Sequence, residues 1–103
     1  MEIQELQKKI DAWIKANTTG YWSPLSMMAR LTEETGEVAR ILNHAYGEKK
    51  KKPEEIHNSL EEEIADVFYT IVCMANAFNI NLDKAIQKVF NKVDSRDKER
   101  FKE

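Results

Sequence analysis

Apolar residues recur at intervals of three and four along most of the chain, and this spacing constrains the fold more than any other feature. It places apolar side chains along one face of a helix. The pattern covers four segments, at about residues 3–16, 24–46, 60–78 and 82–93. The chain has only three glycines and two prolines, too few for the many turns of a β-sandwich or barrel. We therefore expect an all-α protein, a four-helix bundle formed by one domain over residues 1–103, with a charged tail from about residue 94.

Residues at the boundaries of these segments are typical of helix starts and ends. Ser23 precedes the second segment and Asn81 the fourth, so each is expected to cap the first turn with a side-chain oxygen. Ser59 and Glu62 have the spacing of a capping box at the start of the third segment. Gly47 stands where the C-terminus of the second helix favours glycine.

The third segment is the most apolar, because hydrophobic residues predominate between Ile64 and Phe78, and we expect it to be central. The apolar seam of the second segment includes Met28 and Leu42, and Trp13 on the seam of the first is expected in the core. A bundle this small leaves part of its apolar surface uncovered. We therefore expect an oligomer, a homodimer or a homotetramer.

Composition and charge exclude several classes of protein. With 16 basic and 18 acidic side chains the formal net charge is −2, whereas nucleic-acid binders usually have a basic excess. The single cysteine, Cys73, permits neither an internal disulfide nor a multi-cysteine zinc site. No apolar stretch approaches the ~20 residues that cross a bilayer. We expect a cytoplasmic protein that binds neither a membrane nor a nucleic-acid polymer.

Two acidic clusters are the candidate functional site. Glu34 and Glu37 lie three residues apart in the second helix, as do Glu63 and Asp66 in the third, so each pair projects from one side of its helix. If the two helices pack antiparallel, four carboxylates converge, and like charges ~4 Å apart repel by ~4 kcal/mol per pair at an effective dielectric constant of 20. A cation relieves this repulsion, and hard oxygen ligands favour Mg²⁺ or Mn²⁺.

A solvated acidic face is the alternative to a metal site. Solvated glutamates often have a basic residue four positions later, but valine, isoleucine, valine and threonine follow these four carboxylates at that distance. Arg30 and Arg40 could neutralise part of the second helix, so the case for metal is stronger in the third. Gly36 costs roughly 1 kcal/mol relative to alanine inside a helix. It suggests that another helix or a ligand approaches closely.

The acidic motifs, read as EExxE followed by ExxD, resemble those of the MazG-like nucleoside triphosphate pyrophosphohydrolases. The resemblance covers nearly the whole chain. It implies an intertwined helical oligomer that hydrolyses a nucleoside triphosphate to its monophosphate and pyrophosphate with Mg²⁺, for which Mn²⁺ could substitute. It also implies that Glu34, Glu37, Glu63 and Asp66 are the metal ligands. Glu33 then resembles a ligand of an additional ion or a base that positions water, and Glu33 and Glu34 are the candidate catalytic residues.

Substrate-binding residues are expected in the fourth helix and in the first loop. Lys88, Lys92 and Arg96 are spaced four apart on one face, with Asn91 beside them, and similar Lys and Asn residues contact the phosphates in the family that the chain resembles. A solvated helix face is the alternative for each. Tyr21 and Trp22 lie in a loop, where an aromatic ring can stack on a nucleobase.

Two further functions stay open at this point. The chain could be a phosphoribosyl-ATP pyrophosphatase, since that enzyme resembles the same family in fold and acidic motif. It could also be a non-catalytic helical oligomer that uses its acidic, metal-binding face to bind a partner. Release of pyrophosphate from a panel of nucleotides would distinguish the three.

Overall fold

The structure, a computed structural model, describes residues 2–50 and 59–101. These ranges contain four helices and no strand. The helices are α1 (Ile3–Asn17), α2 (Pro24–Tyr46), α3 (Leu60–Ala77) and α4 (Leu82–Asp97). α2 packs along α3, α3 also contacts α1, and α1 contacts α4. The all-α four-helix fold is therefore confirmed, and no helix in these ranges is long and apolar enough to cross a membrane.

Side chains cap three of the helices at the residues that the sequence predicts. The Ser23 hydroxyl accepts a hydrogen bond from the backbone N–H of Ser26 at 3.3 Å. Ser59 accepts from the N–H of Glu62 at 3.1 Å, and Asn81 from the N–H of Lys84 at 3.2 Å. Each cap satisfies a backbone donor that has no partner within the first turn of its helix.

The first helix receives its cap from a distant part of the chain. Glu2 precedes α1 and makes no side-chain capping bond. Instead, the carboxylate of Asp83 in α4 accepts hydrogen bonds from the N–H groups of Ile3 and Gln4, at 3.3 and 2.8 Å. A negative charge at this end also interacts favourably with the helix dipole. This contact ties the start of α1 to the start of α4.

The C-terminal ends of α2 and α3 are followed by residues with different backbone geometry. Gly47 follows α2 with φ −102°, so it does not adopt the left-handed conformation. A Cβ at this position would instead collide with the side chain and backbone of Asn43. Asn79 follows α3 with φ +57°, and the N–H of Ile80 donates to the carbonyl of Ala75 at 2.8 Å, as in a Schellman motif.

The buried core of the chain is small. Within the described ranges the buried hydrophobic residues are Ile10, Met27, Val72 and Ala75. Trp13, which was expected in the core, is 56% exposed in the isolated chain, so that assignment is wrong, and Met28 and Leu42 of the apolar seam of α2 are also exposed. Periodicity shows that a helix has an apolar face, but only packing decides whether another element of the same chain covers it.

The most apolar helix, α3, buries polar as well as apolar residues and leaves several apolar residues exposed. Glu63 and Thr70 of α3 are buried, whereas Ile64 is 54% exposed and Phe68 and Ile71 are also exposed. None of the residues of α4 is buried. The radius of gyration is 17.2 Å, whereas a compact chain of this length has about 13 Å. The isolated chain is therefore extended and leaves two apolar helix faces uncovered.

Candidate metal centre and adjoining pocket

Three of the four predicted carboxylates meet where α2 packs on α3. Glu34 comes from α2, and Glu63 and Asp66 come from α3. One carboxylate oxygen of each lies within 4.8 Å of those of the other two. Glu34 and Glu63 are buried, with Glu63 only 5% exposed, whereas Asp66 is exposed. The cluster thus has two buried members and one that faces the solvent.

The other two predicted acidic residues lie nearby on α2 but outside this cluster. Glu37 is half-buried and Glu33 is exposed, and neither belongs to the group of oxygen atoms within 4.8 Å. Gly36, beside Glu37, is exposed, and a Cβ built there would meet no described atom within 4 Å. Within the described part of the chain no other helix approaches Gly36, and the approach of a ligand stays a prediction.

The electrostatics of the cluster favour a bound cation. Three ionised carboxylates at 4.8 Å repel by roughly 3.5 kcal/mol per pair at an effective dielectric constant of 20. The Nε atom of Arg30 lies 2.7 Å from Oε1 of Glu34, and this ion pair offsets part of the repulsion. The donor set consists of carboxylate oxygens alone, which suits Mg²⁺ or Mn²⁺ better than zinc. The residues therefore fit a hard divalent cation.

A pocket adjoins the cluster and shares Asp66 with it. Its volume is about 370 Å³, within the usual range of ~300–1,000 Å³ for sites that bind small molecules. Four parts of the chain form it: α1, the loop before α2, α2 and α3. Its lining comprises Ile14, Thr18, Thr19, Gly20, Tyr21, Trp22, Met27, Arg30, Asp66, Tyr69, Thr70 and Cys73. Aromatic and apolar walls thus lie next to carboxylates that can hold a cation.

Tyr21 forms a wall of this pocket that hydrogen bonds hold in place. Its hydroxyl donates to Oδ1 of Asp11 at 2.6 Å and accepts from Nδ2 of Asn76 at 3.0 Å. Asp11 also pairs with Lys15 at 2.7 Å, and Asn76 bonds to Gln7 in both directions. Burial, together with donation to Asp11, raises the pKa of Tyr21 to about 12. The ring is therefore fixed, whereas the neighbouring Trp22 is exposed.

A second cleft, of about 460 Å³, also borders Tyr21. Polar side chains line much of it, including Gln7, Asp11 and Asn76 of the same hydrogen-bond network. None of the three clustered carboxylates borders this cleft. The pocket that contains Asp66 is therefore the candidate substrate site.

The predicted phosphate-binding residues of α4 do not line the candidate site. Lys88, Asn91, Lys92 and Arg96 are exposed, and none of them borders the pocket. Arg96 makes a bidentate pair with Asp97, with N–O distances of 2.9 and 2.8 Å. These polar groups thus lie outside the site that the described part of the chain forms by itself.

Sequence patterns left several pocket residues unassigned. Tyr69 and Cys73 follow Asp66 by three and seven positions, and this spacing places all three on one face of α3. Cys73 is half-buried in the pocket wall, and burial raises the pKa of its thiol. Burial likewise raises the pKa of Tyr69. Counting along the helix from Asp66 would have found both residues.

Comparison with known proteins identifies relatives over nearly the whole chain. A family model described as the MazG nucleotide pyrophosphohydrolase domain matches residues 22–101. The uncharacterised protein YpjD of Bacillus subtilis (strain 168) is 50% identical over 99 residues, which cover 96% of this chain and 89% of that protein.

Two solved structures have the same fold. A crystal structure of the candidate pyrophosphatase YpjD from Bacillus subtilis has a TM-score of 0.80 and 49% identity, over 90% of this chain and 93% of that one. A crystal structure described as the Bacillus-conserved MazG protein, a nucleotide pyrophosphohydrolase, has a TM-score of 0.79 and 47% identity, over 96% of both chains.

Proposed function

The chain belongs to the MazG nucleotide pyrophosphohydrolase family, and from this we propose that it hydrolyses a nucleoside triphosphate to the monophosphate and pyrophosphate with Mg²⁺. It is an enzyme that acts on pyrophosphate bonds. One observation supports the proposed reaction above the others: Asp66 belongs both to the carboxylate cluster and to the wall of the pocket. A cation held by the cluster would therefore lie next to a ligand in the pocket.

The carboxylates supply what phosphoanhydride hydrolysis requires. We propose Glu34, Glu63 and Asp66 as metal ligands, with Glu37 as a fourth from the next turn of α2. Held by these carboxylates, Mg²⁺ or Mn²⁺ would supply charge neutralisation on the phosphates and would help to orient a water for attack. The proposed role of Glu33, which is exposed beside Glu34, is to position that water or to hold an additional ion.

The pocket suits the nucleoside half of the substrate. Its aromatic and apolar lining offers a surface for a base, and its threonine hydroxyls offer hydrogen bonds for polar edges. We propose that the exposed Trp22 stacks on the base and that Tyr21 forms a rigid wall beside it. Rates of pyrophosphate release from different nucleotides would identify the preferred base and sugar.

We also propose that the working enzyme is a homodimer or a homotetramer. Exposed apolar residues on α3 and the high radius of gyration both support an assembly in which a second copy covers α3. We propose that in such an assembly the triphosphate contacts four polar residues of α4 in one copy: Lys88, Asn91, Lys92 and Arg96. A cytoplasmic location and a single domain stay predictions.

The test is release of pyrophosphate, measured apart from orthophosphate, across nucleoside triphosphates, deoxynucleoside triphosphates and phosphoribosyl-ATP. Asp66→Asn keeps the size of the side chain but removes one charge, so the rate should fall by roughly tenfold to a hundredfold. Mg²⁺ should raise the melting temperature of the wild type by mass action and that of Asp66→Asn much less.

The matched control is Asp94→Asn, an exposed carboxylate of α4 outside the cluster. It should retain the rate of the wild type. Wild-type turnover by Asp66→Asn would show that the assigned site is wrong. Activity on phosphoribosyl-ATP alone would identify the alternative enzyme, and no release from any nucleotide would favour a binding module.

A further inference from the structure

Arg30 is the one basic side chain among the described residues that line the pocket. It lies on α2, one turn before Glu34, and its Nε atom is 2.7 Å from Oε1 of Glu34. Glu34 in turn belongs to the carboxylate cluster. Arg30 therefore connects the metal-binding residues with the pocket.

The contact with Glu34 leaves much of the guanidinium available. Arginine has five N–H donors in a planar fork, and the contact with Glu34 uses the one at Nε. The side chain of Arg30 is 48% exposed, whereas that of Glu34 is only 11% exposed. The remaining donors match the geometry of phosphate oxygens, with which arginine forms bidentate pairs.

The charges of the site indicate what Arg30 does when a cation arrives. Arg30 offsets the charge of Glu34, one of the three clustered carboxylates. That cation needs an oxygen of Glu34, the carboxylate that Arg30 contacts. A triphosphate then adds several negative charges in a pocket that has no other basic side chain among its described lining residues.

We propose that Arg30 is a substrate-binding residue that exchanges its contact with Glu34 for a phosphate oxygen of the substrate when a divalent cation binds Glu34. Without metal, the guanidinium neutralises the carboxylate. With metal and substrate, it contacts the phosphate chain beside the ion. This role rests on the proposed function, because it requires a substrate with phosphates at the cluster.

Two binding measurements test the exchange without turnover. The first is calorimetric titration of Mn²⁺ into the protein without nucleotide. The second is the affinity for α,β-methylene analogues of ATP, GTP, CTP and UTP at saturating Mn²⁺. Arg30→Met should weaken binding of the analogue by roughly tenfold or more, since a charge-assisted hydrogen bond is lost. Its affinity for Mn²⁺ should be unchanged or higher, because a positive charge beside Glu34 is removed.

Arg40→Met is the matched control, an exposed arginine of the same helix that does not line the pocket. It should bind both probes as the wild type does. Arg30→Lys keeps the charge and loses the planar fork, so it should bind the analogue with intermediate affinity. If Arg30→Met does not fold, Arg30→Lys still tests whether the guanidinium binds the analogue.

Either of two results would overturn the proposal. One is analogue affinity in Arg30→Met and Arg30→Lys within about twofold of Arg40→Met. The other is weaker Mn²⁺ binding in both Arg30 variants, which would make Arg30 a support of the carboxylates. Failure of the proposed function would appear differently, as a wild type that binds the analogue but releases no pyrophosphate from any triphosphate.

Discussion

Tyr21 shows how a single residue can have a role different from the one its type suggests. A loop tyrosine is a candidate for stacking on a base, and its place in the pocket wall agrees with that. Its hydroxyl, however, is bonded to Asp11 and Asn76, which belong to α1 and α3. The ring is thus part of the scaffold that holds the loop before α2 against both helices.

The stability that Tyr21 contributes should depend on pH in the alkaline range. Its pKa is raised from 10.0 to about 12, so the folded state binds the hydroxyl proton more tightly than the unfolded state. That contribution is fully present below pH 10 and is lost as the pH rises to about 12. The difference in melting temperature between the wild type and Tyr21→Phe should therefore narrow from pH 10 to 12.

Tyr46→Phe controls for the loss of a hydroxyl, since Tyr46 is exposed at the end of α2. The titratable groups that act on Tyr21 are Asp11, which pairs with Lys15, and, more weakly, Cys73. These groups are present in both the wild type and Tyr21→Phe, so the difference in melting temperature between the two proteins reports the titration of Tyr21. A difference that stays constant across this range would contradict the prediction.

At the scale of elements, α1 depends on α4 for its N-terminal cap. The two backbone N–H groups that bind Asp83 have no acceptor within α1, because the first turn of a helix lacks internal partners. Asp83 is also acidic in the first turn of α4, where it interacts favourably with the dipole of that helix. One carboxylate thus stabilises the starts of two helices.

Asp83→Ala should lower the free energy of unfolding by about 1–2 kcal/mol, as loss of an N-cap usually does. Chemical denaturation monitored by circular dichroism measures this. Asp83→Asn keeps an acceptor oxygen and should lose less. Asp94→Ala removes an exposed carboxylate of the same helix and should have little effect. Equal losses in Asp83→Ala and Asp94→Ala would show that the cap contributes nothing.

At the scale of the molecule, the main feature is the apolar surface that a single chain leaves exposed to solvent. Ile64, Phe68 and Ile71 of α3 are exposed, and so are Ile86 and Phe90 of α4. Contiguous apolar patches on soluble proteins usually mark an interface. A second copy that covers α3 would turn the extended chain into a compact assembly.

Light scattering should therefore give a mass that is a multiple of 12.0 kDa at micromolar concentration. The double change Ile64→Lys and Phe68→Glu places two charges on adjacent turns of the open face of α3 and should shift the mass toward one chain. Leu25→Glu changes a more exposed apolar residue, on α2, and should leave the assembly intact. A wild type that is monomeric under these conditions would refute the oligomer.

Local interactions account for what the sequence by itself determined. The four helices depend on backbone hydrogen bonds between residues four positions apart. The caps at Ser23, Ser59 and Asn81 depend on side-chain bonds to backbone N–H groups three positions later, and both spacings are visible in the order of residues. The two i, i+3 acidic pairs predicted carboxylates on one side of each helix, but the meeting of Glu34 with Glu63 and Asp66 required α2 to pack on α3. The same motifs carried the resemblance to the family, whose model matches residues 22–101.

Only the tertiary structure decided which distant groups meet. The cap from Asp83 to α1, the bond from Tyr21 to Asn76 and the pocket between Arg30 and Cys73 join residues far apart in the chain. It also decided that Trp13 is exposed, since periodicity identifies an apolar face but not what covers it. Such contacts depend on how the helices are placed in space, and no local pattern encodes that placement.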